Sequence, residues 1–256
     1  MDLGLDGKVA FVTGASGGIG RVIARQLAAE GCRVALGCHS NRTAAERVAE
    51  EIGHDGGSAL VVRHQLSDAA STAEAVAAVA REWGGLQILV TSAWSSPGWM
   101  PPEAPPEDAP PEMWEDQLRT NVAGTAFSVR SALPHMRAAG WGRIVMLSSG
   151  AAEDGSPGLE AYGTAKAALY GLARSLARST GPAGILANVV LPGLIPTPQH
   201  RDTIPASVLE QVAASTPTRR LATEEDVARV VAFLASAANR GVTGAAIRVS
   251  GGLEFQ

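Results

Sequence analysis

Short apolar runs rich in Val, Ile and Leu recur along the chain at Val9–Thr13, Arg33–Cys38, Ala59–Val62, Leu86–Thr91, Arg143–Ser148, Leu186–Leu191 and Ala245–Val249. These runs are nearly continuous rather than alternating with polar residues, which predicts strands buried on both faces. Between them, apolar residues recur at helical spacing over Val22–Glu30, Ala44–Ile52, Thr72–Trp83, Trp114–Ala139, Ala161–Arg178 and Glu224–Ala235. Strand and helix alternating in this way predict an α/β fold, a doubly wound parallel sheet with helices on both faces. In such a fold, ligands bind beyond the carboxyl ends of the strands.

The pattern breaks between Pro97 and Pro111, where Pro101, Pro102, Pro105, Pro106 and Pro110 also lie. Proline at that density predicts neither a helix nor a central strand. Trp99 and Met100 sit inside the stretch, and Trp94 and Trp114 flank it. Residues 94–113 thus offer an apolar surface just past a strand end, and with residues 194–216 they are read as substrate-side segments. A stiff surface loop is the alternative.

Composition narrows the function classes. The 256 residues are 46% hydrophobic and 18% charged, with a net charge of −4, which fits one large domain over residues 1–256 and gives no basic field for nucleic acid. No run approaches the ~20 apolar residues of a membrane span, and no basic-then-apolar leader opens the chain, so the expected location is the cytoplasm. Cys32 and Cys38 cannot build a disulfide framework, and the scattered His39, His54, His64, His135 and His200 predict no metal.

Two motifs carry chemistry. Thr13-Gly14-Ala15-Ser16-Gly17-Gly18-Ile19-Gly20 follows the first strand and runs into a helix. Its glycines permit a tight turn and close backbone approach, and the helix N-terminus attracts a pyrophosphate, which points to a dinucleotide. The second motif is Tyr162-x-x-x-Lys166. The chain has only two tyrosines, Tyr162 and Tyr170, and its only lysines are Lys8 and Lys166. On a helix, Tyr162 and Lys166 share one face, one turn apart. An ammonium beside a phenol is expected to lower the phenol's pKa and make a proton donor or acceptor.

Together these residues resemble the short-chain dehydrogenase/reductase family, its 3-oxoacyl reductases in particular. Asn121 in Thr-Asn-Val-Ala-Gly, Ser149 at a strand end, and Pro192-Gly193 with Thr197 extend the likeness over essentially the whole chain. The resemblance implies a Rossmann-type sheet of seven strands in the order 3-2-1-4-5-6-7 and a tetrad of Asn121, Ser149, Tyr162 and Lys166. In that tetrad Tyr162 exchanges a proton with the substrate oxygen, which Ser149 hydrogen-bonds. Lys166 lowers the Tyr162 pKa and binds the nicotinamide ribose, and Asn121 anchors a water leading to Lys166. Gly14, Ser16, Gly18, Ile19, Gly20, Gln65, Ala93, Pro192, Gly193 and Thr197 are implied cofactor contacts. A homotetramer or homodimer built on Trp114–Ala139 and Ala161–Arg178 is implied as well.

The form of the nicotinamide cofactor is a question of charge. An acid at the end of the second strand would pair with the ribose 2′-hydroxyl of NAD. The chain offers Gly37-Cys38-His39-Ser40-Asn41-Arg42 instead, which favours NADP(H), with His39 and Arg42 on the phosphate side. Two departures from the family stand out. Thr91-Ser92-Ala93-Trp94 replaces the usual Asn-Asn-Ala-Gly, and Gln65 replaces the acid that meets adenine. The leading expectation is an NADP(H)-dependent ketoreductase or alcohol dehydrogenase for a moderately large apolar or aromatic small molecule. Its candidate substrate contacts are Trp94, Trp99, Met100, Ala151, Glu153, Leu194 and Ile195. A redox-neutral epimerase or dehydratase, and a non-catalytic dinucleotide sensor or scaffold, are the other readings.

Overall fold

The computed structural model describes residues 2–95, 98, 100–197 and 204–253. Strands β1 (Val9–Thr13), β2 (Arg33–Cys38), β3 (Ser58–Arg63), β4 (Ile88–Thr91), β5 (Gly142–Leu147), β6 (Ile185–Pro192) and β7 (Ala246–Val249) form one parallel sheet. Its order is β3-β2-β1-β4-β5-β6-β7, as expected. The connecting helices are α1 (Gly18–Ala29), α2 (Arg42–His54), α3 (Ala69–Trp83), α4 (Pro111–Asp116), α5 (Gly124–Ala139), α6 (Ala151–Asp154), α7 (Glu160–Thr180), α8 (Ala206–Ser215) and α9 (Glu224–Leu234). Among the described residues, no helix is long and apolar enough to cross a membrane.

Because side chains alternate across a strand, β1 to β6 each feed two cores, and the edge strand β7 feeds one. Ala10 and Val12 of β1, Val90 of β4 and Val145 of β5 pack with Ile23 and Leu27 of α1 and Val227 and Val231 of α9. Val9, Phe11, Leu89, Ile144 and Met146 point the other way, into Val76 and Val79 of α3, Val129 and Met136 of α5, and Leu169 and Leu176 of α7. Helices on both faces are therefore what hides the continuous apolar runs.

Three elements depart from the sequence expectations. Helix α1 begins at Gly18, four residues before the apolar spacing becomes visible, with Gly17 as its N-cap. The proline-rich stretch is partly helical. Pro106–Asp108 is a 3-10 turn and α4 starts on Pro111, each with proline in the opening turn, where a missing N–H costs nothing. The single helix expected over Trp114–Ala139 is α4 and α5 joined by a π-helical segment, Gln117–Ala123, that carries Asn121. Inserts of this kind rotate the register of the helix downstream and concentrate at functional sites.

His64 follows β3 and is only 2% exposed. Its Nε2 lies 3.3 Å from Ser128 Oγ and 3.4 Å from Thr72 Oγ1, and its ring meets Phe11 edge-on at 5.5 Å. Burial, with a smaller contribution from His39, pushes its pKa down from 6.5 to about 4. The unfolded chain therefore binds this proton between those two pH values while the folded chain does not, so stability is lost as pH falls through that window. Urea unfolding should show this loss approaching about 3 kcal/mol for the native protein. A His64→Gln variant should lack that component, and parallel pH profiles for the two proteins would refute it.

Candidate active site

One cleft of about 840 Å³ runs along the carboxyl ends of the strands, a size suited to a cofactor with substrate. At its centre, β1 turns into α1 through Gly14, whose φ is +69°. A Cβ on Gly14 would lie 2.8 Å from Ala93 Cα, and one on Gly20 would lie 2.5 Å from Gly14 O. Both glycines are therefore required by close backbone approach. Thr13 Oγ1 accepts hydrogen bonds from Ser92 N and Ala93 N, both at 3.1 Å, so the end of β4 is tied to the turn. Gly14, Ser16, Gly18, Ile19 and Ala93 line the cleft, while Gly20 lies behind it as the packing glycine. The free amides at the α1 N-terminus and this side-chain-free floor fit a pyrophosphate.

At the β2 and β3 ends the cleft is lined by Gly37, Cys38, His39, Ser40, His64, Gln65, Leu66 and Ser67, with no carboxylate among them. His39 and Ser40 are exposed. Arg42 is placed differently from the phosphate-side contact expected of it. It occupies the first turn of α2 outside the cleft lining, with Nε 2.8 Å from Glu46 Oε1 on the solvent side. Spacing of i, i+4 on a helix makes that pair the short-range choice for the guanidinium.

At the other end, β5 delivers Ser148 and Ser149, and the first turns of α7 bring Tyr162 and Lys166 into the same cleft. Ser149 hydrogen-bonds the Tyr162 hydroxyl. Lys166, 6% exposed, donates from Nζ to Leu147 O at 2.9 Å, and its Nζ stands 5.8 Å from the Tyr162 ring centroid. The electrostatics correct the sequence expectation. Burial raises the phenol pKa, the Ser149 hydrogen bond offsets only part of that rise, and the ammonium is itself pushed down by burial from 10.5 to about 8. An ammonium that is desolvated and turned toward a carbonyl does not dominate the phenol beside it.

Asn121 is 5% exposed and its hydrogen-bonding groups are engaged. Its Oδ1 accepts from Ser95 N at 2.9 Å, its Nδ2 donates to Ser95 O at 2.9 Å and Gln117 Oε1 at 2.6 Å, and its carbonyl accepts from Thr125 Oγ1 at 2.7 Å. It therefore clamps the loop after β4. Trp94 precedes that clamp, is 38% exposed, lines the cleft and meets the Tyr162 ring at 5.5 Å and 61°. Pro192, Gly193, Leu194, Ile195 and Thr197 line the facing wall. Ala151 and Glu153 do not line the cleft, and Glu153 is ion-paired to Arg248 at 2.5 Å. Trp99 lies outside the described residues. Met100 and Trp114 border a small pocket on the other side of Tyr162. Ser40, Ser67 and Ser148 were missed by sequence reasoning, although their places after β2, β3 and β5 are the signal. Asp116 at the end of α4 and Thr120 in the π segment also line the cleft and left no such signal.

Comparison with known proteins agrees with this geometry. A family described as enoyl-(acyl carrier protein) reductase, of the short-chain alcohol dehydrogenase type, matches residues 14–254. The chain is 35% identical over 246 residues to a 3-oxoacyl-(acyl-carrier-protein) reductase of Staphylococcus aureus, covering 96% of this chain and 98% of the relative. It is 38% identical over 245 residues to cis-4-hydroxycyclohexanecarboxylate dehydrogenase of Sinomonas cyclohexanicum, covering 96% of each. The solved gluconate 5-dehydrogenase of Burkholderia cenocepacia, in complex with NADP and tartrate, superposes with a TM-score of 0.89 at 27% identity over 98% of this chain and 97% of that one.

Replacing Gly14 by Ala forces a left-handed backbone on an L residue and drives a methyl into Ala93. The change should cost at least about 2 kcal/mol of stability and reduce dinucleotide affinity more than tenfold. Thermal unfolding and calorimetric titration with nucleotide would show both, and native-like binding would exclude the floor from the site.

Proposed function

The chain belongs to the short-chain dehydrogenase/reductase family and is an NAD(P)-dependent oxidoreductase; on that premise we propose that it is an NADP(H)-dependent ketoreductase, or an alcohol dehydrogenase in the reverse direction. Its substrate is a moderately large, apolar or aromatic carbonyl compound. The observation that carries the reading is the placement of Ser149, Tyr162 and Lys166 in the same cleft as the glycine turn.

The nicotinamide, when bound, supplies or accepts the hydride. The protein's share is to hold both reactants and to move a proton. Ser16, Gly18 and Ile19 receive the pyrophosphate at the head of α1, and Pro192, Gly193 and Thr197 border the nicotinamide end. Ser149 donates a hydrogen bond to the substrate oxygen and stabilises the charge developing there. Tyr162 then gives its hydroxyl proton to that oxygen. Burial favours the protonated phenol, which suits reduction. Reduction should therefore persist into the alkaline range, whereas oxidation, which needs the phenolate, should require a more basic medium. Lys166 fills the place of the residue that binds the ribose, and Asn121 serves by fixing the loop that frames Tyr162.

The carboxylate-free end of β2, with His39 and Ser40 in the cleft, supports NADP(H) over NAD(H). Arg42 reaches the phosphate only by leaving Glu46. Trp94 beside Tyr162 supports an apolar or aromatic substrate, with Leu194 on the facing wall. A homotetramer or homodimer through α5 and α7 completes the reading. Ala165 and Ala173 are buried inside the subunit, which leaves Ala167, Ala168 and Gly171 for close helix approach.

Parallel titration with NADPH and NADH should give tighter NADPH binding, and a panel of ketones should then reveal NADPH consumption. Tyr162→Phe should retain cofactor affinity and lose about a hundredfold or more in turnover; full turnover in that variant would sink the proposal. Cofactor binding without turnover of any carbonyl compound would favour a sensor, and turnover without net NADPH consumption an epimerase or dehydratase. Trp94→Gly should shift kcat/KM from aromatic ketones toward linear ones, and an unchanged preference would remove Trp94 from recognition.

A further inference from the structure

The segment just after Ser149 cannot hold its own shape. Helix α6 is a single turn, Ala151–Asp154, with two adjacent carboxylates, Glu153 and Asp154, and it ends on Gly155. One helical turn does not repay its own nucleation, so its position must be imposed by partners.

Those partners come from the last two strands. Ser148 N donates to Val190 O at 2.8 Å, and Gly150 N donates to Pro192 O at 3.1 Å, so the residues on both sides of Ser149 are pinned to β6. Arg248 of β7 lies in register beside Leu191 of β6. Its Nη1 donates to Asp154 Oδ1 at 2.9 Å and Oδ2 at 3.0 Å, and its Nη2 donates to Asp154 Oδ1 at 2.9 Å and Glu153 Oε2 at 2.5 Å. The Arg248 side chain is 17% exposed, against 30% for Glu153 and 24% for Asp154. A forked, partly buried guanidinium on two carboxylates is the strong form of ion pair, with geometry as well as charge. The other end of α6 touches the chemistry, because Ala151 N donates to Ser149 Oγ at 3.3 Å.

We infer that Arg248 is a positioning residue for the reaction: from the edge strand it fixes α6, and α6 aims the Ser149 hydroxyl at the Tyr162 hydroxyl and the substrate oxygen. The inference rests on the roles proposed above for Ser149 and Tyr162. It also gives Glu153 an anchoring role in place of the substrate contact expected from the sequence. Ser149 is the group that holds the Tyr162 pKa down against burial. Releasing α6 should therefore weaken that hydrogen bond and raise the phenol's apparent pKa further.

The test uses Arg248→Ala, Arg248→Lys and Tyr162→Phe in the full chain, with kcat and KM for a ketone, NADPH affinity, and kcat followed from about pH 6 to about pH 10. Arg248→Ala should keep native NADPH affinity, lose about ten- to a hundredfold in kcat, and move the basic limb of the profile upward. Arg248→Lys, which keeps the charge but not the fork, should recover part of both effects. Native kcat and an unmoved basic limb, with or without a lower melting temperature, would overturn the inference. So would a loss of NADPH affinity equal to the loss of kcat, which would mark general damage. If Tyr162→Phe is inactive while Arg248→Ala is silent, only the positioning role fails; if Tyr162→Phe retains full turnover, the site reading fails and this inference with it.

Discussion

Gly14 and Ala93 meet backbone to backbone where β1 and β4 leave the sheet, and a Cβ at Gly14 would stand 2.8 Å from Ala93 Cα. Neighbouring parallel strands normally diverge above a doubly wound sheet, and the crevice between them is where ligands settle. Here the crevice floor is made of main chain because three glycine and alanine positions leave nothing else there. Gly20 presses against Gly14 O and brings the first turn of α1 over the floor. Thr13 Oγ1 then ties Ser92 and Ala93 down from below. The place from which Trp94 departs is thereby fixed, and with it the wall beside Tyr162.

Above that floor, desolvation rather than attraction between charges is the larger influence on the titration of both Tyr162 and Lys166. Tyr162 and Lys166 each lose stability in their charged form on burial, so the phenol rises and the ammonium falls. Both shifts favour neutral groups, which brings the two protonation equilibria closer to neutral pairing than their ordinary values would. The Ser149 hydrogen bond is then the local element that favours the phenolate. A phenol whose titration is offset by one hydroxyl is sensitive to how firmly that hydroxyl is held, which is why the anchoring of the segment from Ser149 to Asp154 carries weight.

The fold was legible because burial on both faces leaves a plain mark in sequence. The runs at Val9–Thr13 and Arg33–Cys38 match their strands end to end, and the strand order expected from the family is the order observed. Gly18 was hidden as a helix residue because glycine carries no apolar signal, and Pro111 because proline reads as a breaker until it sits in the first turn. The π segment at Gln117–Ala123 left no signature at all, since one extra residue per turn does not change the composition. The site was legible as an inventory of residues and much less as a set of partners. Tyr162, Lys166 and Ser149 converge, whereas Arg42 and Glu153 found nearer charges in Glu46 and Arg248. The Arg42–Glu46 pair follows from i, i+4 spacing on one helix, whereas the Glu153–Arg248 pair joins a single-turn helix to a distant strand, which strand and helix spacing do not encode.

The departure at the end of β4, Thr91-Ser92-Ala93-Trp94, is coupled to the helix that faces it. Where glycine would leave the floor open, Trp94 fills space beside the phenol, and a large side chain there needs a backbone that does not yield. Asn121 supplies it by bonding Ser95 through both its oxygen and its nitrogen while Gln117 holds the amide from behind. Asn121 and Gln117 both belong to the π segment, so that segment is what holds the loop residue following Trp94. In this chain the backbone on both sides of Trp94 is held by side chains of the neighbouring strand and helix, Thr13 on one side and Asn121 on the other, and this sets where the indole leaves the chain beside Tyr162.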